Sequence, residues 1–97
     1  MTVETLPGAS QAAILGRIIR PRRADLSAAA ARAWLALDFD QDDRARMHEL
    51  ALKAQDGTLQ PDELIELDNY RHVGRLLDMM HSKARLSLKL KQLGRNP

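Results

Sequence analysis

The chain has 97 residues, a formal net charge of +2 and no cysteine, which excludes disulfides and thiolate metal sites and fits a reducing cytoplasm. Only Trp34, Phe39 and Tyr70 are aromatic, so a core must come from leucine, isoleucine, alanine and methionine, as in a helical bundle. No apolar run approaches the roughly 18 residues that span a bilayer, and Met1–Gly8 lacks the charged start and apolar stretch of a signal peptide, so one soluble cytoplasmic domain is expected.

Residues 1–9 hold Pro7-Gly8 and little to bury, and are expected to form a flexible N-terminus ahead of a single helical domain over 10–93, with 94–97 a flexible end. Ser10 can cap a helix over 11–20, with Ile14, Leu15, Ile18 and Ile19 on its apolar face and Pro21 to end it. So short a helix needs packing to persist, which makes it a segment for ordering on a partner. Ser27 announces a second helix over 28–37, rich in alanine and carrying Trp34, Leu35 and Leu37. Asp38-Phe39-Asp40 interrupts, with Phe39 placed to plug the core and Asp40 to cap a third helix over 41–56. Met47, Leu50, Ala51 and Ala54 supply its expected buried stripe, and Gly57 suits a left-handed residue after its end.

The turn from Gly57 to Gln60 is short, so the third and fourth helices are expected to form an antiparallel hairpin. Pro61 fits a first helical position, because its fixed φ is helical and its missing N–H would have had no partner there. Asp62 and Glu63 place carboxylates at the positive end of the helix dipole; Gln60 is a poor cap, and Leu59 can staple onto Leu64. No proline follows until Pro97, and Leu64, Leu67, Tyr70, Gly74, Leu77, His81, Ala84 and Leu88 recur at helical spacing, which predicts a helix over 61–92. The fold class is therefore all-α, a small bundle of four helices. Gly74 is the expected site of the tightest helix crossing. A second apolar set, Ile65, Val73, Leu76, Met79, Leu86, Leu90 and Leu93, broadens the face; Pro61 to Leu77 is expected to be covered within the bundle, and the part from Met79 onward to be more than the chain can cover.

Charge runs basic, acidic, basic. Four arginines lie between Arg17 and Arg23 without an acid, ten acids lie between Asp38 and Asp68 against three bases, and no acid follows Asp78. Asp38, Asp40, Asp42 and Glu49 match calcium-loop positions, but Asp43 stands where the sharp turn needs glycine and the segment reads as helix, so helix capping explains them better. His48, His72 and His81 have no i, i+4 pair and so lack zinc spacing. Without a glycine-rich phosphate loop or a triad pattern, no catalysis, cofactor or metal is expected.

Several segments carry a resemblance: Ala-Ala-Arg-Ala-Trp-Leu-Ala-Leu-Asp-Phe (30–39), Asp-Arg-Ala-Arg-Met-His-Glu-Leu-Ala (43–51), Gly-Thr-Leu-Gln-Pro-Asp-Glu (57–63), Leu-Asp-Asn-Tyr-Arg-His-Val-Gly-Arg-Leu-Leu (67–77) and His-Ser-Lys-Ala-Arg (81–85). Together, across residues 10–90, the chain resembles a family of small all-helical bacterial proteins, familiar from planctomycetes and cyanobacteria and often encoded beside a short HNH-type endonuclease. The resemblance implies a toxin–antitoxin-like pair and transfers no catalytic or binding residue. Gln60 departs from it, standing where the family pattern has a stronger cap such as threonine.

The leading expectation is a non-enzymatic, antitoxin-like protein that binds a nearby-encoded nuclease and restrains or assists it, with Ile14, Ile18, Met79, Met80, Leu86 and Leu90 as its partner-binding residues. Acids 38–68 can mimic phosphate against such an enzyme. A different class is a small DNA- or RNA-binding module using Arg17, Arg20, Arg22, Arg23, Lys83, Arg85, Lys89 and Lys91. The acids at the start of the third helix argue against reading bases with it. A third is a homodimeric scaffold built on the long helix.

Overall fold

The computed structural model describes residues 10–95; the expected flexible segment 1–9 lies outside them, as do 96–97 of the expected flexible end, whose 94–95 are helical. The described chain is all-α: α1 (Gln11–Ile19), α2 (Ala28–Ala36), α3 (Gln41–Asp56) and α4 (Pro61–Arg95). Three caps form where the residue types place them. Ser10 Oγ accepts from Ala13 N, Ser27 Oγ from Ala30 N, and Asp40 Oδ1 from Asp43 N, each satisfying an amide left over at a helix start.

Helix ends differ from the sequence reading at three places. α1 stops one residue early because Pro21 disfavours the helical conformation before it. Arg20 turns instead into the left-handed region at φ 52°, with its N–H on Gly16 O. α2 also stops a residue early, with Leu37 extended and exposed. α4 runs to Arg95 rather than residue 92, a helix of 35 residues.

The chain packs as two compact units that share α4. One comprises α3 and the first part of α4, within Asp38–Gly74. Its contacts pair 43 with 70, 46 with 66, and 53 with 63, so the two helices run antiparallel. The turn between them is a Schellman cap: Gly57, at φ 72°, gives its N–H to Ala54 O and Thr58 gives its N–H to Lys53 O. Leu50 is the large side chain fully buried here, and Leu67 is buried as well. Ala51 and Ala54, expected in the stripe, are exposed, because a single neighbouring helix covers a narrower arc than an all-round bundle would.

In the other unit α1, α2 and the part of α4 from Arg75 onward pack together. Gly16 meets Met79, and Ile19 meets Lys83, so α1 runs parallel to α4; Leu26 meets Ser87 and Leu37 meets His81, so α2 returns antiparallel. Ala31 and Ala84 are fully buried, where a small side chain lets helices approach closely.

Gly74 is not the tight crossing. A Cβ built there meets nothing within 4 Å, whereas one at Gly16 lies 3.8 Å from Met79 Sδ. Gly74→Ala should therefore raise stability by about 1 kcal/mol through helix propensity alone, while Gly57→Ala should lower it by about as much, since an L-residue resists positive φ. Urea unfolding followed by circular dichroism reads both; a destabilised Gly74→Ala would mean that an unseen neighbour needs the space.

Candidate interaction surfaces

The hairpin of α3 and α4 is acidic overall. Residues 38–74 contain ten acids and four bases, a net −6. Most of those carboxylates already have partners. Glu63, at the third position of α4 and buried, returns Oε1 to the Gln60 N–H at 3.1 Å. This is the reciprocal half of a capping box, and it offsets the weak cap at Gln60. Its Oε2 accepts from Lys53 Nζ at 2.6 Å and from Arg46 at 3.3 Å. Arg46 also grips Glu66 with two parallel bonds of 2.9 Å, the fork geometry that makes arginine the better partner for a carboxylate. Tyr70 donates to Asp43 Oδ1 at 2.7 Å and stands edge-on to Phe39, ring centres 5.9 Å apart. Asp38 pairs with Arg44. The phosphate mimicry expected of acids 38–68 is thus narrowed to the hairpin's net field and the few carboxylates left open.

Phe39, Asp43, Glu66, Asn69, Tyr70 and Val73 line a groove of about 350 Å³ on this hairpin. Close by in sequence, Leu64 and Ile65 are exposed, Ile65 to 63%, and Leu52 is open on α3. The expectation that the first half of α4 would be fully covered is corrected here. One neighbouring helix, α3, covers one stripe, and Ile65 and Val73 lie on another.

The second half of α4 behaves in the opposite way. Met79, Met80 and Leu86, expected as surplus partner-binding residues, are half-buried under α1 and α2. Ile14, Ile18 and Leu90 from the same set are exposed, Ile18 to 70%. Lys83, expected on a nucleic-acid surface, is buried: its Nζ donates to Ile19 O at 2.8 Å and pairs with Asp25 at 2.7 Å. It caps the C-terminus of α1 with a cation, as the helix dipole favours. Ser87, also buried, accepts the Leu26 N–H at 3.2 Å, and His81 Nε2 bonds Leu37 O at 2.7 Å. Sequence spacing did not single out Lys83 and Ser87 as core. Their only signal is a position on the apolar arc of α4.

The other expected cations, Arg17, Arg20, Arg22, Arg23, Arg85, Lys89 and Lys91, are exposed. Folding gathers the two basic ends of the sequence into one unit. Residues 10–37 and 75–95 hold eleven bases against Asp25 and Asp78, a net +9. Among the described residues only Arg23, 3.7 Å from Asp25, and the buried Lys83 find a carboxylate. On this unit Ala28, Arg32, Leu88, Lys91 and Gln92 line a groove of about 260 Å³.

Three carboxyls are held below their ordinary values: Glu63 by the Lys53 ammonium and then the Gln60 N–H, Glu66 by the Arg46 guanidinium, and Asp25 by Lys83. A carboxyl whose folded pKa is lowered binds fewer protons folded than unfolded, so its stabilisation is present above the unfolded value and fades as pH falls. Melting temperature should accordingly hold from neutral pH to about 4.5, the unfolded glutamate value, and decline below it. Tyr70 is held above 10.0 by its bond to Asp43 and by burial. Its contribution is present below that value and is lost at higher pH, when the phenol ionises beside a carboxylate. A Glu66→Gln variant with the same acid profile as the parent would contradict the assignment.

An all-α chain with one acidic hairpin and one basic three-helix unit is therefore in view. No described helix is long and apolar enough to cross a membrane, and no group of three or more His, Cys, Asp or Glu among the described residues is placed to hold a metal. No protein-family model, curated protein or solved structure matches the chain.

Proposed function

We propose that this chain is a non-enzymatic, antitoxin-like partner protein that binds a nuclease, of the HNH type its sequence resemblance names, and restrains or assists it. The observation that carries this reading is the hairpin, which combines a net −6 with apolar side chains left open at Leu52, Leu64, Ile65 and Val73. Apolar side chains left open to water are available to a partner, and opposite net charge speeds encounter with a basic enzyme.

The groove at Phe39 and Tyr70 suits a long cationic side chain. Aromatic faces and Val73 would take an arginine stem, and Asp43, Glu66 and the Asn69 amide line the place for its head. Nucleic-acid enzymes are rich in such side chains on their binding surfaces. Ile14 and Ile18 of α1 are exposed apolar side chains on the basic unit.

The test is co-expression with an adjacent nuclease gene product, followed by affinity capture and a cleavage assay. A complex at micromolar concentration that alters cleavage supports the reading. Ile65→Asp and Asn69→Lys, both at exposed positions, should weaken it at least tenfold without disturbing the circular dichroism spectrum. No complex and unchanged cleavage would remove the proposal.

A further inference from the structure

The basic unit presents a surface that the hairpin reading leaves unused. Its cations are gathered by folding and not by sequence: Arg32 belongs to α2, and Lys91 with Gln92 to the end of α4, yet they line one groove over the apolar floor of Ala28 and Leu88. Every polar side chain lining it is a donor of positive or neutral charge, save the amide oxygen of Gln92. No carboxylate lines it, and no ion pair among the described residues occupies Arg32 or Lys91.

A row of side chains on α4 also leads to the groove. Residues three and four apart lie side by side on a helix, so Arg85, Lys89 and Gln92 make one row on α4, and that row ends at the groove. Arg85 and Lys89 are exposed, and no carboxylate among the described residues pairs with them. Asp25 and Asp78 are the acids of the described unit, and Asp25 is bound to Lys83. A single phosphate would need only the groove. A groove that leads into a row of further cations fits a ligand with regularly repeated phosphates, and the one aromatic side chain of the described unit, Trp34, is half-buried and poorly placed to stack on bases.

We infer that this unit binds the sugar–phosphate backbone of nucleic acid without base readout, seating one phosphate between Arg32 and Lys91 and tracking others along Arg85 and Lys89. Phosphate contacts position a protein but carry no sequence information. Affinity arises from counterion release, so the three phosphates held set the salt dependence: the slope of log affinity against log salt should be roughly −3 on duplex DNA, and shallower on a single strand.

The experiment is fluorescence anisotropy with a labelled duplex of arbitrary sequence, about 20 base pairs long, and its single strand, titrated with the full chain over a salt series. The expected result is binding at low salt, indifferent to sequence, with that slope. The double variant Arg32→Gln/Lys91→Gln alters exposed side chains and should leave the circular dichroism spectrum and melting temperature unchanged. It should weaken binding at least tenfold and flatten the slope by about 1, for the one phosphate that loses both of its cations. An Asn69→Lys variant on the hairpin should bind at least as well as the parent, which separates this surface from the proposed nuclease contact. No binding to either nucleic acid at low salt would overturn the inference. So would a slope that the double variant leaves unchanged, or binding to vesicles of anionic lipid when both nucleic acids fail.

Discussion

Leu50→Ala is expected to be the most damaging single truncation in the hairpin unit, lowering stability by about 2–4 kcal/mol. Leu50 is 0% exposed and is the largest apolar side chain among the described residues in that condition. Its loss cannot be shared, because two helices enclose it and much of the surrounding apolar surface is already open to water. Domains of this size have only about 5–15 kcal/mol in total. Urea unfolding should thus show a much lower midpoint, or loss of the α3 and α4 helicity outright. Leu52→Ala, two positions along on the exposed face, is the control and should change the midpoint little. Equal effects from the two variants would mean that the hairpin face carrying Leu52 is covered in solution.

Lys83→Met should release α1. The methionine keeps the buried stem but removes the donor to Ile19 O, leaving a carbonyl at a helix end without its partner, a change costing about 1–3 kcal/mol. The effect should be local as well as global. Nine residues are too few to stay helical without tertiary support, so α1 amides should lose protection from hydrogen exchange before those of α4. Trypsin should also cut faster at Arg17, Arg22 and Arg23. Lys89→Met, which alters an exposed lysine on the same helix, is expected to change neither. If Lys83→Met protected α1 as well as the parent does, the lysine would be a bystander and packing against Met79 would hold the helix.

Much of the fold was legible because its signals are local. A serine or aspartate before an alanine- or glutamine-led run needs only the next three residues to become a cap, which is why Ser10, Ser27 and Asp40 fell into place. Gly57 and Pro61 act through their own backbone freedom or lack of it, and with a four-residue turn they leave an antiparallel hairpin as the simple outcome. The interaction surfaces were less legible. Periodicity reveals that an apolar stripe exists and says nothing of what covers it, so Met79, Met80 and Leu86 looked surplus and Ile65 and Val73 looked covered. Gly74 shows the same limit, since a helical glycine marks close approach only when a neighbour arrives, and here the neighbour arrives at Gly16.

The sequence by itself determined four helices, their starts, the hairpin and the acidic character of its residues, because capping, backbone preference and charge are properties of a few adjacent side chains. Only the tertiary structure decided that Lys83, Ser87 and Glu63 are interior groups with partners 64, 61 and 10 residues away. It also decided that arginines near residue 20 and cations near residue 90 belong to one surface. Burial and electrostatic field depend on which segments become neighbours in space, and that is set by the packing of whole helices against one another.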